Sequence, residues 1–257
     1  MNNKLVTFTA GVLLSLTSVA QADDSLRFGV DVPTAPMEYR LPNGELTGFD
    51  IDLGNALCES LGLECEWIVQ GWSGIIPALL ARKYDAIMSS MTINDSRRET
   101  VLFSAPYIKP YSAWFGESDS ELDEIDSDGL KGKTIGVQRG TLQDNYVTDT
   151  FSDVAAINRY STTSDMIMDM QSDRVDLIFL DHPAGVAALL DDGNGEYRII
   201  GELINEPEKY FGEGFGIAFR KRDQALVEKF NKALAELKED GTYDEIYTKY
   251  FPEGDAS

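Results

Sequence analysis

Apolar positions along the first 100 residues of this chain follow two periods. Some short stretches are apolar throughout or alternate with polar residues, as strands do, and others repeat an apolar residue about every three to four positions, as amphipathic helices do. The predicted strands are residues 26–30, 64–69 and 86–88, and the predicted helices are residues 50–61 and 75–83. Gly62 is expected to end the first helix, and Pro77 to lie in the first turn of the second. This order predicts a parallel sheet covered by helices.

A second unit of the same kind follows. Its predicted strands are residues 112–116, 133–137, 155–160, 175–180 and 197–203, with helices from residues 141 and 164 and over 184–190. After a last strand at 216–219, an amphipathic helix runs to Gly241 and another covers 243–250. Residues 109–111 and 204–214 are interpreted as two crossings between the units. The prediction is therefore an α/β protein whose first lobe comprises residues 23–108 and 214–257, whose second lobe comprises residues 109–213, and which has a cleft between them.

The two units also resemble each other in sequence. Residues 79–90 can be aligned with residues 170–181, so that a helix end, a basic residue, an Asp, an apolar strand and a polar strand end coincide. Ser90 and Asp181 then occupy equivalent positions. Chance similarity between two α/β units is the alternative, because helix ends often carry Lys or Arg.

The N-terminus has the three parts of a secretory signal. Lys4 supplies the positive start, residues 12–16 the apolar middle, and residues 20–22 an A-x-A cleavage site, so we expect residues 1–22 to be removed and the protein to be periplasmic. A retained anchor is the alternative, but the apolar part is too short to span a bilayer. Export to an oxidising compartment favours a disulfide between Cys58 and Cys65 over two buried thiols.

Composition limits the partners. The formal net charge is -22 at pH 7, which disfavours nucleic acid and anionic membrane surfaces. With two Cys and one His in the chain, no ligand set for a structural zinc ion is evident, and no metal or other cofactor is expected.

The stretch from Asp85 to Arg97 carries the first candidate site. An apolar strand runs into the hydroxyls of Ser89, Ser90 and Thr92, and ligands of open α/β sheets bind at such strand ends. Arg97 follows two plausible helix-start residues, so its planar, five-donor guanidinium could lie above those hydroxyls. The pattern predicts a carboxylate-binding site.

Two features of the second lobe could complete this site. The turn Gly140-Thr141-Leu142 lies between a strand and a helix, where backbone N–H groups can face an anion; an ordinary capped helix start is the alternative. Asp181 ends a strand and could bind an ammonium group, or could instead cap the helix after Pro183. Opposite charges at a fixed separation would fit a zwitterion.

Three further side chains of the first lobe could bind the rest of a ligand. Asp31 ends the first strand and would face a cation or a hydrogen-bond donor. Trp72 is expected either to pack in the core or to form a flat wall of the site. Glu38 could add to Asp31, but we expect it to be a solvated strand residue.

Together these residues match a known family. Over nearly its full mature length the chain resembles the periplasmic amino-acid-binding proteins of ABC importers (solute-binding protein family 3), close to the lysine/arginine/ornithine, histidine and glutamine binders. The motifs that carry the resemblance are residues 44–53, 74–79, 85–93 with Arg97, 140–141, Asp181 and 240–243. The resemblance implies the type II periplasmic-binding-protein fold, an L-amino acid ligand, an ABC permease as partner and a monomer.

The resemblance also implies roles for the site residues. Arg97 and the backbone at Thr92 and Leu142 would take the α-carboxylate, and Asp181 and Ser90 the α-ammonium. Asp31 and Ser89 would face the ligand side chain, with Trp72 stacked on it; Cys58 and Cys65 match the disulfide of the basic-amino-acid binders. The chain departs from the family at Thr34, where an aromatic is usual, and at Gln138 and Leu142.

The predicted function is capture of a basic L-amino acid, with arginine or ornithine ahead of lysine and histidine. Glutamine or an opine is the alternative ligand. A dehydratase-like enzyme of the same fold is the alternative class, with Glu38 as the spare general acid or base and His182 expected to point away into a helix. A chemoreceptor partner is compatible with the same fold. The predicted ligand-binding residues from the two lobes are Asp31, Thr34, Trp72, Ser89, Ser90, Thr92, Arg97, Gln138, Thr141, Leu142 and Asp181.

Overall fold

A computed structural model describes residues 25–191 and 193–252 of the chain. The strands are β1 (Ser25–Val30), β2 (Tyr39–Arg40), β3 (Leu46–Thr47), β4 (Glu64–Val69), β5 (Ala86–Ile87), β6 (Val101–Phe103), β7 (Ser112–Glu117), β8 (Thr134–Gln138), β9 (Ala156–Tyr160), β10 (Leu177–Asp181), β11 (Tyr197–Ile204) and β12 (Ala218–Arg220). The helices are α1 (Phe49–Ser60), α2 (Trp72–Leu80), α3 (Asp95–Arg98), α4 (Leu142–Phe151), α5 (Thr163–Met170), α6 (His182–Leu189), α7 (Glu208–Phe211), α8 (Gln224–Glu239) and α9 (Thr242–Tyr250). The predicted export signal, residues 1–22, lies outside the described residues.

Two five-stranded sheets form the centres of two lobes. The first sheet has the order β4-β1-β5-β12-β6 and the second the order β11-β7-β10-β8-β9. The expectation of parallel sheets is wrong in part: β4, β1 and β5 are parallel, but β12 is antiparallel to both of its neighbours, and β7 is antiparallel to β10 and β11. These antiparallel strands are the ones next to the crossings, where the chain enters a sheet from the other lobe. The α/β architecture with two lobes is confirmed.

Each sheet is buried on both faces. In β5 and β12, Ala86 and Phe219 belong to a core cluster that includes residues of α1 and α8, whereas Ile87 and Ala218 belong to a second cluster that includes residues of α2. The second sheet divides its strand residues between two core clusters in the same way. Because successive strand side chains point to opposite faces, a continuous apolar run is the pattern that such a doubly covered sheet requires.

Local signals explain most helix ends, with one correction. Gly62, at φ 67°, follows the C-cap of α1, and α9 begins just after Gly241, at φ 90°. Helix α2 begins at Trp72, three residues before the predicted start, so Pro77 lies inside it instead of in its first turn. The disulfide Cys58–Cys65 joins α1 to β4, as predicted.

The chain passes between the sheets twice, within residues 104–111 and 205–217, and both predicted lobe boundaries fall inside these segments. The two crossings lie side by side, joined by a bridge between Ile108 and Phe215. Gly214, at φ 123°, packs so closely that a Cβ there would lie 2.6 Å from the Ile108 carbonyl oxygen. Tight backbone pairing of this kind holds the two crossings as one unit.

The sequence repeat has a structural counterpart. Arg82 and Asp173, which the alignment makes equivalent, both have positive φ, at 62° and 55°. Asp85 and Asp176 each donate a backbone N–H to the adjacent strand, at 2.8 Å, and each accepts a backbone N–H from the same strand residue through its carboxylate. Both strands therefore begin with the same pair of backbone and carboxylate hydrogen bonds, which fixes their register.

Within the described residues, no helix has both the length and the apolar character needed to cross a membrane.

Candidate functional site

A pocket of about 390 Å³, part of it open to solvent, lies between the two lobes. Its lining includes all eleven residues that the sequence nominated: Asp31, Thr34, Trp72, Ser89, Ser90, Thr92, Arg97, Gln138, Thr141, Leu142 and Asp181. It also includes Glu38, which the sequence analysis expected to be solvated, and Gln143, which it did not consider. Polar side chains at the ends of β1, β5, β8 and β10 and on α3 and the start of α4 thus meet in one place.

Arg97 lies on the short helix α3 next to the end of β5. The Asn94 side chain caps this helix by accepting the Arg97 backbone N–H at 2.8 Å, and the guanidinium donates to the Thr92 carbonyl at 2.8 Å. Burial lowers the pKa of Arg97 to about 10, and the negative charge of Asp181 acts in the opposite direction. Within the described residues no carboxylate lies within 4 Å of this guanidinium, so its remaining N–H groups are free to donate to a bound anion.

Trp72 begins helix α2 and forms one wall of the pocket. Its ring lies 5.1 Å from the Arg97 guanidinium carbon, within the range of a cation–π contact. Its indole N–H donates to the Gly140 carbonyl of the second lobe at 3.2 Å. Trp72 therefore holds Arg97 in place and bridges the lobes, and only part of its surface is shared with the apolar core.

Asp181 ends β10 and faces the pocket from the second lobe. Its side chain makes no capping hydrogen bond to α6, so the alternative reading as a helix cap is not supported. Instead its Oδ1 accepts from Gln143 Nε2 at 2.8 Å, and the same amide nitrogen donates to Ser112 at 2.9 Å. Burial raises the pKa of Asp181 to about 7, against the lowering effects of Gln143 and Arg97. A cation beside this carboxylate would favour its charged form.

The turn at residues 140–142 is in part the ordinary capped helix start that was the alternative prediction. Thr141 caps α4 by accepting the Asp144 backbone N–H, and the Gly140 N–H donates to the Asp144 carboxylate at 2.9 Å. The Gly140 N–H is thus already used, contrary to the expectation that it could face an anion. Leu142 is the first residue of α4, where an N–H has no acceptor within the helix, so it remains available to a ligand.

Asp31 is buried at the end of β1, with 7% of its surface exposed. Across the cleft, Gln138 Nε2 donates to Asp31 Oδ2 at 3.0 Å. The other end of this amide accepts from the Thr163 hydroxyl at 3.3 Å, which fixes the orientation of the amide. Burial raises the pKa of Asp31 to about 6, and the bond from Gln138 lowers it.

Glu38 corrects the expectation of a solvated strand residue, because only 1% of its surface is exposed. The Ser89 hydroxyl donates to its Oε1 at 2.9 Å and the Ser90 hydroxyl to its Oε2 at 3.3 Å. Ser89 in turn accepts the Asp31 backbone N–H at 2.9 Å. The two serines, predicted as ligand contacts, therefore also hold the Glu38 carboxyl group and the Asp31 backbone beside the pocket.

A further carboxyl group lies behind these serines. Asp50, on α1, is fully buried and accepts the Ser90 backbone N–H at 2.7 Å and the Tyr107 hydroxyl at 3.0 Å. Ser90 has φ 49°, a conformation that costs a non-glycine residue free energy and is often found at binding sites. The bond from Asp50 helps to hold it.

Sequence reasoning missed Asp50 and Gln143 as parts of the site, and it considered Glu38 but expected it to be solvated. Gln143 follows Leu142 in the first turn of α4, so helical geometry alone could have indicated it. Asp50 lies in the motif 44–53, which marks the family but not the side chain's position. The complete arrangement offers one cation and one anion on opposite lobes, with two more carboxyl groups in the first lobe, and this suits a zwitterion that carries a second donor or cation.

Comparisons with known proteins agree on the family. Residues 26–253 match the model of bacterial extracellular solute-binding proteins, family 3. The L-arginine-binding protein of Pseudomonas aeruginosa is 39% identical over 242 residues, covering 93% of this chain and 92% of that protein. The lysine/arginine/ornithine-binding periplasmic protein of Escherichia coli is 34% identical, covering 94% and 93%.

A solved structure shows the same fold. An ancestral arginine-binding protein bound to arginine superposes with a TM-score of 0.82 at 35% identity, covering 89% of this chain and 98% of that one. The family consists of solute-binding proteins and these relatives are amino-acid-binding proteins, so the prediction of a binding protein rather than a dehydratase-like enzyme is confirmed. With its match extending over almost all of the described residues, the chain belongs to the bacterial extracellular solute-binding proteins of family 3.

Proposed function

We propose that this protein is exported, captures a basic L-amino acid between its lobes and delivers it to an ABC permease. The observation that carries the proposal is the distribution of charge around the pocket. Arg97 has no carboxylate partner within 4 Å among the described residues, Asp181 lies opposite it, and two buried carboxyl groups, Asp31 and Glu38, lie farther along in the first lobe. A zwitterion with a cationic side chain complements all four groups.

In this proposal each charged group of the ligand has a defined place. The α-carboxylate pairs with Arg97 and with backbone groups at Thr92 and Leu142, and the α-ammonium pairs with Asp181 and Ser90. A guanidinium or ammonium at the end of the side chain lies near Asp31. Charge-assisted hydrogen bonds of this kind are the strong ones, and bidentate pairing of a guanidinium adds geometric selectivity. Arginine is therefore the first choice, and ornithine, lysine and histidine, which offer a cation without the bidentate guanidinium, follow it.

Closure of the lobes is the proposed mechanism. Gln138 and Trp72 already bond across the cleft, to Asp31 and to the Gly140 carbonyl, so the two lobes meet at the pocket. A ligand held by both lobes binds the closed form better than the open one and shifts the population towards closure. A permease that recognises the closed form then receives loaded protein, and we propose that the protein acts as a monomer.

Glutamine is the second candidate ligand. The observation that favours it is the bond from the Gln138 amide to Asp31, because it shows that this carboxylate accepts a neutral amide N–H in its present surroundings. A glutamine side chain could make a similar contact. Arginine stays the first choice because two neighbouring buried carboxyl groups are better compensated by a positive charge.

A thermal-shift panel of the twenty amino acids plus ornithine, citrulline and opines tests the proposal. A ligand that binds only the folded protein stabilises it by mass action, by about 2.7 kcal/mol at a hundred times its dissociation constant. We expect arginine or ornithine to give the largest shift. A panel in which only glutamine shifts the transition would favour the second candidate, and a panel without any shift would contradict amino-acid capture.

A further inference from the structure

We infer that Glu38 and Asp50 share one proton beside the pocket in the free protein, and that a cationic ligand side chain entering the pocket expels it. Capture of a basic amino acid would then release a proton to the solvent. The inference rests on the proposed function, since it requires a cationic ligand.

The hydrogen bonds around Asp50 indicate that one proton lies between the two carboxyl groups. Both Ser90 and Tyr107 donate to Asp50 Oδ2, whereas Asp50 Oδ1 is buried and accepts from no N–H or hydroxyl of the described residues. Ser90 holds both carboxyl groups of the pair, because its hydroxyl donates to Glu38 Oε2 at 3.3 Å and its backbone N–H donates to Asp50 Oδ2 at 2.7 Å. Two ionised carboxylates side by side cannot hydrogen-bond to each other, because neither has a hydrogen to donate. A proton on Glu38 supplies the donor that Asp50 lacks.

The surroundings of Glu38 and Asp50 disfavour ionisation of both carboxyl groups, because little nearby compensates a second negative charge. The ionisable groups that act on the pair are Asp31 at the end of β1, Tyr107 in the first crossing and Tyr243 of α9. None of these is a cation, and within the described residues no Lys, Arg or His lies within 4 Å of Glu38 or Asp50. Burial raises the pKa of Glu38 well above its usual range, and the neighbouring Asp50 raises it further.

A ligand cation in the pocket favours ionisation of Glu38. Glu38 lines the pocket beside Asp31, so a cation bound by Asp31 also acts on Glu38. An opposite charge within about 4–6 Å favours the ionised form of a carboxyl group. The Glu38 O–H bond breaks, its electron pair stays on the carboxylate, and the proton passes to the buffer. Affinity for a cationic ligand should then increase with pH, by at most about tenfold per pH unit for one proton released.

Isothermal titration calorimetry in two buffers of different ionisation enthalpy at pH 7.5 counts the protons. Arginine is compared with citrulline, its neutral isostere. Both ligands carry the same α-ammonium group, so any proton that Asp181 releases when this group binds cancels in the difference between the two titrations. We expect arginine to release about 0.5–1 proton more than citrulline. Equal counts for the two ligands would overturn the inference.

Variants assign the proton to the pair. Glu38→Gln and Asp50→Asn each remove one partner and should abolish the extra release with arginine. Asp52→Asn is the matched control, because Asp52 is on the same helix but pairs with Lys249 and Tyr250, and it should keep the release. Undiminished release in Glu38→Gln would assign the proton elsewhere and contradict the inference.

Infrared spectroscopy gives a readout that does not depend on calorimetry. The free wild-type protein should show the carbonyl stretch of a protonated carboxyl group that disappears when arginine binds and is missing from free Glu38→Gln, even if that variant binds poorly. Absence of this band from the wild type would refute the shared proton. A protein that binds no basic amino acid contradicts the proposed function, whereas arginine binding without proton release contradicts this inference alone.

Discussion

Replacing Arg97 with alanine tests the centre of the proposed site. In the free protein the guanidinium has no carboxylate within 4 Å among the described residues; it donates to the Thr92 carbonyl and stacks on Trp72. Burial lowers its pKa to about 10, which means that the buried charge is held at a cost. The side chain is therefore arranged for a partner that is not part of the folded chain.

The two effects of Arg97→Ala differ in size. Loss of one hydrogen bond and one cation–π contact should change the free energy of unfolding by no more than about 2 kcal/mol, and relief of the buried charge offsets part of that. Leaving a buried carboxylate of the ligand unpaired costs about 3–5 kcal/mol. A unit charge pair at about 4 Å with an effective dielectric constant of about 20 gives a similar figure, about 4 kcal/mol. Affinity should then fall by about two to four orders of magnitude.

Calorimetric titration measures the affinity, and urea denaturation of the free protein measures the stability. Arg98→Ala is the matched control, because Arg98 belongs to the same short helix but pairs with Glu213 at the surface. We expect Arg98→Ala to bind like the wild type. Near-native binding by Arg97→Ala would refute the reasoning, and so would a loss of stability as large as the loss of binding, since Arg97 would then be a structural residue.

Three further predictions concern the carboxyl groups and the disulfide. Asp31→Asn should weaken the binding of arginine and lysine by about 1.5–3 kcal/mol by removing a charged hydrogen-bond acceptor, with a smaller effect on the binding of glutamine. Equal weakening for all three ligands in calorimetry would argue against a cation near Asp31. Because burial raises the pKa of Asp50 from 3.8 to about 7, the free folded protein retains a proton that the unfolded chain loses. Its free energy of unfolding should therefore fall, by up to a few kcal/mol, as the pH rises from about 4 through 7; a flat profile in urea denaturation at pH 5 and pH 8 would contradict this. Replacing Cys58 and Cys65 with serine should destabilise by about 2.5 kcal/mol on the loop-entropy model and leave affinity unchanged, since the disulfide lies outside the pocket lining.

Short-range patterns in the sequence predicted much of the local structure. Strand β4 has the predicted bounds, α1 ends just before Gly62, and Asn94 caps the helix that carries Arg97. These features depend on backbone conformation and on partners within a few residues, which a sequence displays directly. Most of the nominated residues that line the pocket lie at strand ends or helix starts, where ligands of α/β proteins bind, whereas Thr34 and Gln138 were nominated through the family resemblance.

The directions of the strands could not be obtained in this way. The pattern of β12 is as apolar as that of a parallel strand, yet it runs antiparallel to β5 and β6. Its direction depends on the side from which the chain re-enters the first sheet after the second crossing. Periodicity records which faces are buried and contains no information on the direction of approach.

The burial of Glu38 depends entirely on tertiary structure. Sequence patterns and the family resemblance predicted two α/β lobes, the family, and a pocket with Arg97 and Asp181 on opposite sides. They did not determine that Glu38 is buried, because the groups that stabilise its carboxyl are Ser89 and Ser90, about 50 residues later in the chain. A charged side chain is exposed or buried according to whether hydrogen-bond partners surround it, and those partners meet only when the chain has folded.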